Sequence, residues 1–225
     1  MKPAGNITRA EVATIFFRLL TDEARDQYWS TENQYSDVAQ GQWFNNAIST
    51  LSNAGIINGY SDGTFRPNAP ITRAEFSKIA VSFFAYAGES YQGVFSDVPA
   101  GKWYAQFVEA ANQLGLVTGY PDGTFLPEKQ ITRAEACTIV NRTIERNPHE
   151  DQLHEDMILW ADNPAPGEAG HAWYYEQVQE ATNSHGYEDK DQSESWTEIL
   201  ENRNWAALEQ AWANSNDAPG GEVVK

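Results

Sequence analysis

The amino-acid sequence predicts an all-α fold of three helix–loop–helix repeats, closed into one compact, pseudo-threefold helical domain. Three observations predict it. One phrase occurs three times, as Ile7-Thr8-Arg9-Ala10-Glu11, Ile71-Thr72-Arg73-Ala74-Glu75 and Ile131-Thr132-Arg133-Ala134-Glu135, with starts 64 and 60 residues apart. A recurrence of this kind marks an internal repeat. Each phrase leads into apolar residues at helical spacing. A second, tryptophan-led phrase recurs in step with the first, 29 residues separating Trp43 from Thr72 and Trp103 from Thr132.

The Arg-led helices start at a capping box. Thr followed three residues later by Glu lets two side chains satisfy free amide donors at a helix start. Their apolar faces are Val12, Ile15, Phe16, Leu19 and Leu20; then Phe76, Ile79, Ala80, Phe83 and Phe84; then Ala136, Ile139, Val140 and Ile144. These follow the i, i+3, i+4, i+7 pattern of a core-facing helix. The other helix of each repeat follows Ser36-Asp37-Val38 with Trp43-Phe44, or Ser96-Asp97-Val98 with Trp103-Tyr104. Ile48, Leu51 and Ala54 form its stripe, matched by Val108, Ala111 and Leu114. Gly55 and Gly115 stand where a left-handed helix end needs glycine. Between the helices lie Gly59-Tyr60-Ser61-Asp62-Gly63-Thr64-Phe65 and Gly119-Tyr120-Pro121-Asp122-Gly123-Thr124-Phe125. Asp-Gly is a tight-turn signal. One aspartate per copy falls short of a calcium loop, and no Gly-Lys-Ser/Thr follows to hold a phosphate.

The third repeat departs from the pattern. Trp160-Ala161-Asp162 replaces Ser-Asp-Val, an insertion spans Pro164–His171, and Trp173-Tyr174 opens the helix. His185 stands in place of the capping glycine, and an acidic stretch runs from Glu188 to Glu194. Ser195-Trp196-Thr197-Glu198 reads as another capping box, and a last short helix should carry Trp205, Leu208 and Trp212. The expected organisation is a single domain over 1–214. It comprises an Arg-led helix at 7–20, repeats at 35–86 and 95–146, a degenerate repeat at 159–213 and a disordered tail at 215–225. Because the chain opens with an Arg-led helix, that helix is expected to partner the third Trp-led one and close the ring.

Composition narrows the function. Of a net charge of −17, residues 146–225 carry −13, which argues against nucleic acid and anionic lipid as partners, since both are bound by clustered cations. The single cysteine, Cys137, excludes an internal disulfide and a cysteine-based metal site. No apolar run approaches the roughly 20 residues of a membrane span. The start, Met1-Lys2-Pro3-Ala4-Gly5-Asn6, does not read as a signal peptide.

The layout resembles the S-layer homology (SLH) domain of bacterial surface proteins. The resemblance rests on Phe95-Ser96-Asp97-Val98, Trp103-Tyr104, Gly119 to Phe125 and Ile131 to Glu135, and on the near-twin beginning at Tyr35. It covers residues 5 to about 185. It implies three SLH motifs, the third degenerate, folded as a monomeric pseudo-trimer around a central helical bundle. It further implies non-covalent anchoring to a secondary cell-wall polysaccharide, commonly a pyruvylated one, in grooves between motifs, without a cofactor. An extracellular chain without a signal peptide is then expected to be a piece of a longer secreted protein. Carried over residue by residue, Arg9, Arg73 and Arg133 become anion contacts, and Trp43, Trp103 and Trp173 become groove walls. Asp37, Asp97 and Asp162 are groove or structural acids. The groove of Arg73 and Arg133 with Trp103 has the fullest set of motif residues.

Elementary chemistry supports the same roles. A cation at a helix start opposes the helix dipole, so three such arginines call for an anion nearby. Guanidinium binds carboxylate as a fork, free amides at the helix start would add an anion site, and indole offers the largest face for a sugar ring. The alternatives are ion pairs from the arginines to Asp37, Asp97 or Asp162, and burial of the tryptophans in the core. A surface-layer assembly part without polymer binding, and a wall-active glycosidase, are the other functions open to the chain. No acid/base pair of carboxylates stands out for the latter. Nor do the four histidines suggest a metal: His149 and His154 are five residues apart, whereas two ligands on one helix face need four.

Overall fold

A computed structural model of the chain describes residues 1–84, 91–190 and 193–216. The tail expected to be disordered lies, from residue 217 on, outside the described residues. In chain order the elements are α1 (Arg9–Leu19), α2 (Asp22–Tyr28), α3 (Asn45–Asn53), α4 (Arg73–Val81), α5 (Ala105–Gln113), α6 (Arg133–Thr143), α7 (Tyr175–Thr182), β1 (His185–Lys190), β2 (Ser193–Ile199) and α8 (Trp205–Asn216). They fall into two compact units, one of residues 1–7 with 71–202 and one of residues 8–70 with the chain from 203 onward.

The fold is helical as predicted, and the Arg-led helices begin at the predicted residues. Thr8, Thr72 and Thr132 are N-caps in extended conformation, and each closes a complete capping box with Glu11, Glu75 or Glu135. The first-turn amides go further than the box. In the first unit Arg73 N donates to Lys129 O and Ala74 N to Pro127 O, while Arg133 N donates to Gly5 O and Ala134 N to Pro3 O. In the second unit Arg9 N and Ala10 N donate to Ala69 O and Pro67 O. These helix starts therefore offer no free amides, and the expected amide contribution to an anion site is withdrawn. Any anion must be held by side chains.

The three isoleucines that open the repeated phrase meet in the first unit. Ile71 N donates to Ile7 O (3.2 Å), Ile131 N to Ile71 O (3.1 Å) and Ile7 N to Ile131 O (3.3 Å). This closed ring of three equivalent bonds is a pseudo-threefold arrangement of the backbone. The helix pairing differs from the expected one, however. In the first unit α4 packs on α5 and α6 on α7, and in the second α1 packs on α3. The third Trp-led helix thus takes α6, its own predecessor in the chain, as a partner.

Each unit has its own core. Ile71, Phe76, Val108, Ala111, Phe125 and Ile131 are among the buried residues of the first, and Val12, Phe16, Phe17, Ile48, Leu51 and Phe65 among those of the second. Two predicted stripe ends lie outside the core: α4 stops at Val81, leaving Phe83 and Phe84 half-buried, and Ile144 is exposed. In the second unit α8 lays Trp212 against Phe17 and Trp29, and Arg25 lies 4.9 Å from the Trp212 ring. Arg25 is buried because it closes the end of α1, donating to the carbonyls of Phe17 and Leu20.

The region 185–199 corrects the sequence reading. Ser195–Glu198 is not a helix start but part of β2, antiparallel to β1. The predictive signal was alternation: Glu194 and Trp196 are buried while Ser195 is only half-buried and Thr197 is exposed, a period of two that belongs to a strand.

The Gly-Tyr-x-Asp-Gly-Thr-Phe loops are tight turns, with Thr64 N and Thr124 N donating to Asp62 and Asp122. Their first glycine is required by contact. A Cβ on Gly119 would lie 2.4 Å from a Phe95 ring carbon and 2.8 Å from Thr124 O. Gly119→Ala is expected to destabilise the protein by about 1–3 kcal/mol through overpacking, read as a lowered urea midpoint, with Phe95→Leu recovering part of the loss.

Candidate functional site

The candidate site is a cleft of about 180 Å³ in the first unit, lined by Arg73, Tyr120, Glu135, Ile139, Arg142, Trp173 and residues 116–119. Arg73 is held at its rear. Its Nε donates to Phe125 O (2.9 Å), Nη2 to Thr118 O (3.3 Å) and Nη1 to Glu135 Oε1 (3.2 Å). The guanidinium also lies 4.6 Å from the Phe125 ring and 5.2 Å from that of Tyr120. A guanidinium has five N–H groups, and among the described residues three protein acceptors meet them.

A second cation stands beside Arg73. Lys129 Nζ donates to the Tyr120 hydroxyl (2.8 Å) and stands 3.7 Å from Glu135 Oε1. The Tyr120 contact, more than Glu135, holds the lysine above its ordinary value. Arg73 and Lys129 thus both face the one Glu135 carboxylate, while Arg142 lines the same cleft and donates to Leu116 O. Burial alone would raise Glu135, but the Thr132 amide, Arg73 and Lys129 outweigh it and hold its carboxyl below the usual range.

The structure sorts the sequence-predicted residues. It brings Arg73 together with Trp173; neither Trp103 nor Arg133 lines this cleft. Trp43, Trp103 and Trp173 are 61%, 54% and 63% exposed, so the core alternative for the tryptophans is excluded. Each stands edge-on to the aromatic residue after it, Phe44, Tyr104 or Tyr174. Arg9, in the second unit, repeats the seating of Arg73: Nε donates to Phe65 O (2.8 Å) and Nη2 to Asn58 O (3.1 Å), with the Phe65 ring 4.5 Å away. Arg133 is half-buried.

The three aspartates do not pair with the arginines. Asp37 accepts from Phe65 N and Arg66 N (2.7 and 2.8 Å), Asp97 from Phe125 N and Leu126 N (both 2.8 Å), and Asp162 from the Met1 amino group and Lys2 N. Arg66, Leu126 and Lys2 have φ of 59°, 56° and 55°. Each aspartate therefore clamps a left-handed turn. Asp97 still matters to the cleft, because the turn it clamps presents the Phe125 carbonyl to Arg73.

Sequence reasoning missed Tyr120, Lys129 and Arg142 as parts of the site. A usable signal existed for Arg142: Glu135, Ile139 and Arg142 are spaced by four and three, which puts them on one face of α6.

A second titratable cluster lies on the hairpin. Glu180, His185 and Glu194 bring ligand-type atoms within 4.8 Å of one another. The Arg146 guanidinium is already among them, 3.0 Å from Glu180 and 2.7 Å from Glu194. Its fixed positive charge opposes a metal ion there, and the residues do not fit one.

Comparison with known proteins decides the family. The profile described as S-layer homology domain matches residues 34–77 and 94–137. These two segments are SLH repeats. Similar proteins include cell surface glycoprotein 1 of Acetivibrio thermocellus, 32% identical over 89% of this chain and 9% of that protein. The cellulosome-anchoring protein of the same organism is 33% identical over 83% of this chain and 40% of its own length. The surface-layer 125 kDa protein of Lysinibacillus sphaericus is 33% identical over 64% and 12%. The chain thus spans less than half the length of each of these relatives. SLH repeats are cell-wall anchoring modules, and this chain belongs at the cell surface. The third repeat lies outside the matched segments, yet Asp162 and α7 repeat the clamp and the Trp-led helix of the other two.

Proposed function

We propose that this SLH chain anchors a larger surface protein to the bacterial cell wall by gripping an acidic secondary wall polysaccharide, one bearing pyruvyl ketals, in the Arg73 cleft. The observation that carries the reading is the meeting of a seated guanidinium and an exposed indole, Arg73 and Trp173, in one cleft. A ketal carboxylate would take the N–H groups of Arg73 left by the protein, and the sugar's apolar face would rest on Trp173. The chain's overall negative charge is no obstacle, since charges beyond about 8 Å are largely screened at physiological salt. Arg9, seated on Phe65 O and Asn58 O as Arg73 is on Phe125 O and Thr118 O, is proposed to serve as a second such grip. Several weak grips on one polymer would add avidity.

The test is co-sedimentation with purified cell walls, native and depyruvylated. Native walls should retain the protein and depyruvylated walls should not. Arg73→Ala should weaken retention about 10- to 100-fold, the equivalent of a charge-assisted hydrogen bond of roughly 1.5–3 kcal/mol. Arg73→Lys, which keeps the charge but not the fork, should restore little. Equal retention by both wall preparations, or unchanged binding by folded Arg73→Ala, would remove the proposal.

A further inference from the structure

Glu135 divides its two oxygens between two tasks. Oε2 accepts from Thr132 N (2.8 Å) and Thr132 Oγ1 (3.1 Å), closing the cap of α6. Oε1 faces the cleft, 3.2 Å from Arg73 Nη1, 3.3 Å from the Tyr120 hydroxyl and 3.7 Å from Lys129 Nζ. A cap does not need the charge, because glutamine closes a capping box as well as glutamate does. The surplus charge is placed on the groups that a bound carboxylate would use.

We propose that Glu135 is a built-in competitor for the anion position of the cleft, and that it sets which anions can bind. It orients Arg73, Tyr120 and Lys129 in the free protein, and an incoming anion has to share or displace it. Small anions that bring charge alone gain little over a carboxylate already in place. A sugar acid gains more, since it can also cover Trp173 and reach Arg142, contacts that Glu135 cannot make. Selectivity then comes from opposing the wrong ligand as well as from attracting the right one. The inference rests on the reading of this cleft as the polysaccharide site, so its test has an arm that uses no wall material.

Glu135→Gln in the full chain is the test. The variant should keep its helical circular dichroism, because the cap survives. Sodium acetate should raise its melting temperature relative to sodium chloride at equal ionic strength, and should leave wild type unmoved. Co-sedimentation with native walls at low salt should be about 5- to 20-fold tighter than wild type and should fall more steeply with salt. Glu135→Asp, which withdraws the charge by one methylene, should shift both readouts the same way by less, and it decides the matter if the glutamine variant does not fold. An equal acetate response in variant and wild type overturns the proposal, as does wall binding by the folded variant no tighter than wild type's. If wild type itself fails to bind walls, the polysaccharide reading falls and the acetate comparison alone decides the role of Glu135.

The same variant carries a pH signature. The folded pKa of Glu135 is depressed, so its contribution to stability is full above the unfolded value and is lost as pH falls through the folded one. Wild type should lose stability on that acid limb, and Glu135→Gln should lose less.

Discussion

Arg146→Ala is expected to destabilise the first unit by about 3–5 kcal/mol, the cost of breaking a buried ion pair from one side. Arg146 is the countercharge for two carboxylates that are each only 3% exposed. Its Nε is 2.7 Å from Glu194 Oε2, and its Nη2 is 3.0 Å from Glu180 Oε1 and 2.5 Å from His185 Nε2. The ring of Tyr187 covers the guanidinium at 3.6 Å, and Trp196 donates to Glu180 while stacking on His185 at 3.7 Å. Burial, and then the neighbouring Glu180, push the Glu194 carboxyl up. Glu180 is held low because its hydrogen bonds from His185 and Glu194 outweigh its own burial. Without Arg146 the two acids would face each other with no fixed cation, in the segment that joins β1 and β2 to α7. Urea unfolding should show the loss. In a double-mutant cycle, Arg146→Ala with Glu194→Ala should cost clearly less than the sum of the single changes. Additive costs would mean that the pair is not the source of the stability.

Asp97→Ala is the second large effect, expected at about 3–5 kcal/mol from two charge-assisted hydrogen bonds of roughly 1.5–3 kcal/mol each. The carboxylate receives Phe125 N and Leu126 N, and Leu126 sits at φ 56°, a left-handed conformation that an L-residue adopts at a cost. Released, the turn would relax and carry the Phe125 carbonyl away from Arg73 Nε. Stability and wall retention should therefore fall together. Asp97→Asn, which keeps one acceptor oxygen, should lose about half as much stability. A folded Asp97→Ala that binds walls like wild type would show that the clamp does not hold the site.

Much of this was legible in the sequence, for a local reason. The capping boxes at Thr8, Thr72 and Thr132 join residues three apart. The Asp-Gly turns bond Asp62 to Thr64 and Asp122 to Thr124. Gly55 and Gly115 take φ of 72° and 71° where helices end. Phe65 and Phe125, from the repeated loop, are buried. Where local signals were ambiguous, the reading failed. Ser195–Glu198 satisfies the spelling of a capping box, but Trp196 pairs across to Tyr187 and its neighbours alternate in burial, so the strand won. The aspartates beside each tryptophan looked like partners for arginine because they recur with it. Their backbone partners, 28 and 29 residues further on in the case of Asp97, carry no side-chain signature to read.

Short-range chemistry in the chain was enough to specify where the Arg-led helices start, where the Asp-Gly turns fall and that the repeated phrases form equivalent caps. Folding in three dimensions settled the pairings. It put Trp173, rather than Trp103, beside Arg73, turned Asp37, Asp97 and Asp162 into turn clamps, spent the helix-start amides on carbonyls of other loops, and set Arg146 between two buried glutamates. The physical reason is range: a cap or a turn is decided within a few residues, whereas the partner of a guanidinium is whatever group the closed ring of Ile7, Ile71 and Ile131 brings within about 3 Å.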